Sequence, residues 1–261
     1  MTIDISVENC YVRVAAICIA PSNDMEQYVA TFITTKSIPA DKTTNEDIIN
    51  WLLTFDLSSN TYKGTIDTTL VGLEPNTEYT ALAFGFYGGV VTTDLFRYDF
   101  KTEPEGECQN EVIGVNITGP YSLLALETAM PDEFYQYGMF ESMGWYAMCA
   151  SIETVDPDGY VFMNTYEVEE LVTGDMEYIK ADVVKYTSDR NCLFVGENDK
   201  LYVMCAVAMD YRGNYSDMWV SEQFSFSFIN GTLPIEELLE KLGYTTTQSA
   251  TRSSIDLRLK K

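Results

Sequence analysis

The sequence contains no histidine, and this absence excludes several kinds of active site. Without an imidazole there is no Ser-His-Asp triad, no Cys-His pair, no histidine general base and no zinc site with a histidine ligand. Cysteine is scarce: there are six, without a Cys-x-x-Cys pair, so thioredoxin-like motifs are absent too. We interpret the cysteines as small buried apolar side chains. A disulfide between Cys108 and another cysteine of the second half is the alternative.

Basic residues are few, with 16 Lys and Arg against 40 Asp and Glu and a formal charge of −24. Phosphate backbones and anionic lipids attract Lys and Arg, so this charge argues against a nucleic-acid partner and against an anionic membrane surface. No run of 18 apolar residues could cross a bilayer. The first residues lack the basic and apolar regions of a signal peptide. That leaves two alternatives open, a cytosolic protein and the mature part of an exported one.

The 261 residues are 46% apolar, which predicts a folded chain rather than a disordered one. At about 100–150 residues per domain, this length favours two domains. Residues 101–107 are polar, contain Pro and Gly, and are typical of a linker. We therefore predict domains at 1–103 and 107–229, followed by a C-terminal helix and flexible tail at 230–261.

Each half is predicted to contain about seven strands and one short helix, the pattern of an antiparallel sandwich. Predicted strands include 10–20, 27–36, 62–70, 79–86 and 95–102 in the first half, and 111–118, 122–128, 145–154, 179–186, 200–209 and 218–228 in the second. The predicted helices are 45–55, which places Trp51 on its apolar face, then 165–171 and 233–243. Residues 255–261 alternate apolar and charged side chains, and are either a further strand or a disordered basic tip.

A seven-residue segment gives the most specific sequence signal. Leu73, Pro75, Thr77 and Tyr79 follow the order L-x-P-x-T-x-Y. This order resembles the corner of fibronectin type III domains, in which the tyrosine hydroxyl bonds back to the preceding turn. The resemblance implies an all-β chain of two tandem fibronectin-III or immunoglobulin-like sandwiches. In the second half, the corresponding residues 197–200 are Glu-Asn-Asp-Lys and lack the Pro and Thr of this motif.

The resemblance is closest to fibronectin-like repeats in exported lipoproteins of Bacteroidetes-type bacteria. Gly72, Leu73 and Pro75, followed by Ala83-Phe84-Gly85, carry it. It implies an exported protein at the cell surface, held at the outer membrane by a lipid anchor upstream of this sequence. It implies a non-catalytic module for adhesion, scaffolding or spacing, with a surface protein or glycan as partner and no cofactor.

Aromatic residues form 13% of the chain and supply the candidate binding residues. One group lies within 134–146, beside Asp132, Glu133 and Gln136, which would hydrogen-bond sugar hydroxyls under a stacked ring. The other lies in a predicted loop at 210–219, where sandwiches commonly bind ligands. The candidate ligand-binding residues are Tyr135, Tyr137, Trp145, Tyr211, Tyr215 and Trp219. The alternatives are core packing for the first group and a solvated hairpin turn for the second.

No pattern predicts catalysis or a metal site. With 40 acidic residues, adjacent carboxylates are unavoidable and say nothing about a glycosidase. Asp156, Asp158 and Gly159 are a fragment of a calcium loop and predict a turn instead. The favoured function is a non-catalytic surface module, and the alternative is a carbohydrate-binding accessory lipoprotein of a polysaccharide-uptake system.

Overall fold

The computed structural model describes residues 1–185, 187–227 and 231–244. The predicted tail from 245 onward, including 255–261, lies outside the described residues. The chain divides into two compact units. The first is Met1–Glu107 with Tyr211–Asn214, and the second is Cys108–Asp210 with the described residues from Tyr215 onward.

The first unit is a sandwich of two antiparallel sheets. Its elements are β1 (Ile3–Glu8), β2 (Val14–Pro21), β3 (Gln27–Thr34), α1 (Asn45–Leu52), β4 (Thr61–Lys63), β5 (Ile66–Val71), β6 (Glu78–Tyr87), β7 (Val90–Val91) and β8 (Phe96–Lys101). One sheet has the order β1-β2-β5. The other has the order β4-β3-β6-β7, and β8 also pairs with β6.

The core of this unit lies between the two sheets. Ile17 and Ile19 of β2 meet Tyr28, Ala81 and other residues of the opposite sheet. Side chains alternate along a strand, so the odd-numbered residues of β2 face this core. Cys18, which the sequence predicts to be a buried apolar side chain like the other cysteines, lies on the other face and is only half-buried. Strand β1, which is not among the predicted strands, supplies Ile3 and Ile5 to the same core.

Helix α1 covers the outer face of the larger sheet. Thr44 caps it: its hydroxyl accepts from Asp47 N at 3.1 Å, and Asp47 Oδ2 accepts from Thr44 N at 3.2 Å. Ile48, Ile49 and Leu52 are buried against Val29, Leu82 and Phe84, so the unit has three layers. Trp51, predicted to be core, is only half-buried at the edge of this layer, with its ring edge-on to Phe55.

The second unit is also a two-sheet sandwich, with more helices. Its elements are β9 (Val112–Tyr121), α2 (Leu123–Ala129), α3 (Tyr137–Glu141), β10 (Trp145–Thr154), β11 (Tyr160–Glu167), α4 (Val168–Thr173), α5 (Met176–Val183), β12 (Asn191–Glu197), β13 (Leu201–Met209), β14 (Trp219–Val220), β15 (Phe224–Ser225) and α6 (Ile235–Lys241). The sheets have the orders β12-β10-β9 and β11-β13-β14, and β15 also pairs with β13.

Two segments predicted as strands are helices. Residues 122–128 form α2, because Ser122 Oγ accepts from Ala125 N at 3.0 Å and Leu123 and Leu126 are buried three residues apart. Residues 179–186 fall largely in α5, whose Ile179 and Val183 are buried four residues apart. One helix was predicted within the second sandwich, and the structure has four between β9 and β12.

Helices cover the outer face of the β9-containing sheet. Leu123, Leu126, Tyr137 and Leu238 pack with outward-facing residues of β10 and β12, such as Cys149 and Leu193. The predicted C-terminal helix is present as α6. All six cysteines are free thiols, so the alternative disulfide at Cys108 does not form.

Candidate functional site

The tyrosine corner of the first unit is built from β6 and the turn before it. The Tyr79 hydroxyl accepts a hydrogen bond from Glu74 N at 2.7 Å, and its ring stacks on Phe100 at a centroid distance of 5.6 Å. Burial raises the pKa of Tyr79. Leu73 packs against the core, and Thr77 Oγ1 donates to Pro75 O at 2.9 Å. The contacts of these four residues fix the turn before β6 to the start of that strand.

The second unit has the same hydrogen bond without the same residues. The Tyr202 hydroxyl accepts from Glu197 N at 3.1 Å, across the same five-residue separation as in the first corner. Neither the Pro nor the Thr of the first corner occurs here. In both units the corner tyrosine is the second residue of its strand, β6 or β13. This position in the sequence is the feature that could have predicted the second hydrogen bond.

The first candidate aromatic group lies on the hairpin formed by α2 and α3 and at the start of β10. Tyr135 is 71% exposed, whereas Tyr137 is 8% exposed and lies edge-on to the fully buried Phe134 at 5.5 Å. Trp145 is half-buried and packs beside Phe140 at 6.2 Å. The predicted platform of three exposed rings is therefore reduced to Tyr135, because Tyr137 and Trp145 contribute to the apolar cluster under the helices.

The acidic side chains of this hairpin have two different roles. Glu127 accepts from Gln136 N at 3.0 Å and from Gly138 N at 2.8 Å. Glu141 accepts from Ser122 Oγ at 2.6 Å and from Leu124 N at 2.8 Å. These two carboxylates hold the hairpin together, a role that no local sequence pattern indicates. Asp132 and Glu133 shortly precede Tyr135 in the chain and are exposed to solvent.

The second candidate group is divided between the two units. Tyr211 belongs to the first unit, where it is 61% exposed and edge-on to Tyr11 at 5.8 Å. Arg212 lies 5.3 Å from the Tyr11 ring centroid and forms an ion pair with Glu103. This arrangement leaves the ring of Tyr211 as the accessible aromatic surface of the loop.

Tyr215 and Trp219 belong to the second unit. Tyr215 is half-buried with its ring edge-on to Phe162 at 5.4 Å. Trp219 is half-buried and packs on the inter-sheet core. Tyr215 and Trp219 therefore have different neighbours within the second unit.

A buried polar network joins α5 to β11. The Tyr166 hydroxyl donates to Asp182 Oδ2 at 2.6 Å, and Asn164 Nδ2 donates to the same oxygen at 3.3 Å. Burial and the neighbouring carboxylate raise the pKa of Tyr166. The network positions a helix on a sheet.

The described residues contain no group of three or more Cys, Asp and Glu side chains arranged to hold a metal ion. Asp156 Oδ1 accepts from Asp158 N at 3.0 Å, which gives the predicted turn at 156–159. Within the described ranges, no helix is long and apolar enough to span a bilayer.

Comparisons with known proteins concern the fold. No family model matches the sequence, and no curated protein matches it. A two-domain fibronectin type III segment of chicken tenascin is 10% identical, with a TM-score of 0.25, and the match covers 85% of this chain and 97% of that one. The FN1–FN3 domains of chicken CNTN1 are 11% identical, with a TM-score of 0.27 and coverages of 84% and 65%.

The strand order and the two tyrosine hydrogen bonds identify the fold. In each unit, the strand carrying the corner tyrosine lies inside one sheet, and the first two strands pair in the other. Both units are fibronectin type III-like. In each fibronectin type III-like unit, one outer sheet face is covered by helix.

Proposed function

We propose that this protein is a non-catalytic module of a bacterial cell surface, acting in adhesion, scaffolding or spacing. One observation carries the proposal: a single acidic chain holds two fibronectin type III-like sandwiches, each with its own complete core. Because each sandwich has its own core, each is able to fold as a separate domain. Such an arrangement suits a modular protein and does not require a shared active site. A charge of −24 favours solubility and mutual repulsion at a crowded surface.

The proposal includes export and a lipid anchor upstream of this sequence. Intact cells of the source organism, treated with an external protease, provide the test. We expect the protein to be degraded while a cytosolic marker and a periplasmic marker survive. Survival of the protein in intact cells, with degradation after lysis, would overturn the surface assignment.

Carbohydrate binding is the second candidate, and the exposed rings of Tyr135 and Tyr211 favour it. Asp132 and Glu133, which precede Tyr135 closely in the chain, are exposed and carry carboxylates able to accept bonds from sugar hydroxyls. Aromatic faces bind sugar rings at low entropic cost. Each tyrosine would act as an individual contact, since the other candidate rings are wholly or partly buried in packing contacts.

Affinity gel electrophoresis against a panel of soluble polysaccharides tests this candidate. We expect retardation that Tyr135→Ala or Tyr211→Ala abolishes and that Tyr87→Ala, a 69% exposed control, leaves unchanged. All three positions are exposed, so these variants should fold as the parent does. Absence of retardation across the panel would reject carbohydrate binding and leave the adhesion or scaffold proposal to be tested with protein partners.

A further inference from the structure

Strand β5 lies at one edge of the β1-β2-β5 sheet in the first unit. On its outer side, an edge strand carries main-chain N–H and C=O groups that no strand of its own sheet bonds. Such an edge is able to pair with a strand of another chain. Which strand suits β5 depends on the residues whose main chain points outward.

The pairing of β5 with β2 shows which residues these are. Gly72 N donates to Arg13 O at 3.0 Å, so the main chain of Gly72 points towards β2. The register of β5 on β2 then continues without a shift. Bonding residues alternate along an antiparallel pair. The outer main-chain groups of β5 therefore belong to Asp67, Thr69 and Val71, and within the described ranges no other strand pairs with them.

Other sheet edges of the molecule are protected against a further strand. At the outer side of β11, Ser188 N donates to Val161 O at 2.8 Å, and Met163 N donates to Ser188 Oγ at 3.0 Å. Strand β8 carries three charged residues among its six. Covering segments and charged side chains are the usual means of blocking an edge. Strand β5 has one charged residue, Asp67, and no described segment bonds its outer main chain.

The sequence of β5 is suited to antiparallel pairing with a second copy of itself. With a two-fold axis at Thr69, Asp67 lies opposite Val71 of the partner subunit, and Thr69 lies opposite Thr69 of the partner subunit. All three outward residues are then paired, and each opposite pair exchanges two hydrogen bonds. A shift of two residues in either direction leaves one of the three unpaired. A shift of one residue is excluded because it turns the side chains to the wrong face.

The same register continues both faces of the sheet. Ile66 and Leu70 are half-buried and pack against the core of the unit, so the even-numbered residues of β5 face inward. Thr68 of the partner subunit lies opposite Leu70 and adds cover at this end of the core. On the outer face the two Thr69 side chains are neighbours, and cross-strand pairs of threonines stabilise antiparallel sheets.

The charge of this segment permits self-pairing in an otherwise acidic chain. Asp67 is the only charged residue in 64–73. In this register the two Asp67 side chains are four residues apart along the pair, which is about 13 Å. That distance exceeds the Debye length of about 8 Å at 0.15 M salt, so their mutual repulsion is largely screened. Each Asp67 instead lies opposite an uncharged valine.

We propose that β5 is a homodimerisation edge, through which two copies of the chain pair antiparallel about a two-fold axis at Thr69 and join their three-stranded sheets into one. This inference goes beyond the proposed surface function and does not depend on it. A contact between two short strands is small, so the dimer is weak and reversible. A two-fold contact closes after two chains, so assembly through β5 stops at the dimer.

Sedimentation velocity of the full chain tests the proposal. Between about 10 and 500 μM protein in 0.15 M salt, we expect the average mass to rise from that of the monomer towards that of the dimer. Raising salt to about 0.5 M should strengthen association, because salt screens the repulsion between two chains of charge −24. A chain that stays monomeric under all these conditions would overturn the proposal, and so would growth beyond the dimer.

Substitutions of Thr69 test whether β5 is the contact. Thr69→Lys places two ammonium groups opposite each other on the axis and should weaken the dimer at least about fivefold. Thr187→Lys makes the same change in charge at an exposed position of the second unit and should leave the dimer unchanged. Equal association of the two lysine variants would reject β5 as the contact.

A proline at the same position separates loss of the dimer from loss of the fold. Thr69→Pro removes an N–H that points away from β2, and edge strands tolerate proline where the N–H faces solvent. We expect the variant to keep the circular dichroism spectrum of the parent and to remain monomeric at about 500 μM. A folded Thr69→Pro protein that still dimerises would overturn the proposal.

Cysteine substitutions test the register. Opposite residues of a hydrogen-bonded pair have Cα atoms about 5.5 Å apart, within the range that a disulfide spans. Under mild oxidation, Thr69→Cys should give more disulfide between the two substituted positions than Thr68→Cys, with the linked peptides identified by mass spectrometry. The six native thiols are common to both variants and to the parent, which supplies the baseline. More linkage through position 68 than through position 69 would overturn the two-fold axis at Thr69.

Discussion

At the residue scale, buried tyrosines of both units direct their hydroxyl groups to hydrogen-bond partners. Tyr28 donates to Gly64 O at 2.8 Å, Tyr166 donates to Asp182, and Tyr79 and Tyr202 accept from main-chain amides. A buried ring contributes apolar area, while an unpaired buried hydroxyl or amide is costly. These tyrosines therefore hold turns and helices in place in addition to filling the core.

The corner hydrogen bond can be measured by Tyr79→Phe. The change leaves Glu74 N without its acceptor in a part-buried position, so we expect a loss of about 1–3 kcal/mol in the free energy of unfolding. Urea unfolding followed by fluorescence and circular dichroism measures it. Tyr87→Phe, at the exposed end of the same strand, should change stability by less than about 0.5 kcal/mol. Equal losses for both variants would show that the corner bond contributes nothing specific.

At the element scale, a strand glycine in the second unit is required by its neighbour. A Cβ at Gly196 of β12 would lie 2.6 Å from the ring of Phe226, which is completely buried. Gly114, in β9 of the same sheet, has no atom within 4 Å of its added Cβ. The two positions therefore form a matched pair that differs in packing.

We expect Gly196→Ala to destabilise the protein by about 1–3 kcal/mol, because the ring of Phe226 has no space to move into. Gly114→Ala should be neutral or stabilise slightly, since alanine restricts the unfolded chain. Thermal unfolding of the two variants beside the parent protein measures the difference. A Gly196→Ala protein as stable as the parent would show that the core around Phe226 is loosely packed.

The helices of the second unit show where local sequence patterns mislead. Residues 122–128 and 179–186 are short apolar segments, and short apolar segments fit a strand or a buried helix equally well. The capping residues Ser122 and Asp175 begin the helices, and burial of residues three or four apart then fixes them. Longer strands such as β10 and β13 were predicted closely because an apolar run of nine or ten residues leaves less ambiguity.

At the scale of the whole molecule, the raised pKa values of several buried tyrosines determine the expected response to alkali. Burial raises the pKa of Tyr28 to about 12. Burial also raises the pKa values of Tyr121 and Tyr202. The folded state favours the neutral phenol, so this stabilisation is complete below the unfolded pKa near 10 and is lost as the pH rises towards 12.

We therefore expect stability to fall between about pH 10 and 12, and the buried tyrosines to ionise with unfolding. Absorbance at about 295 nm records ionisation of the phenol, and circular dichroism on the same samples records unfolding. Full ionisation of all 18 tyrosines before any loss of structure would contradict this expectation.

The sequence by itself determined the fold class, the approximate strands and the corner residues, because side-chain alternation and turn chemistry are local properties. The tertiary structure decided which aromatic rings are accessible. Tyr135 and Tyr137 are two residues apart, yet one is exposed and the other is buried beneath a helix. Tyr211 and Tyr215 are four residues apart and belong to different units. Burial depends on contacts with residues distant in the sequence, and local patterns do not contain that information.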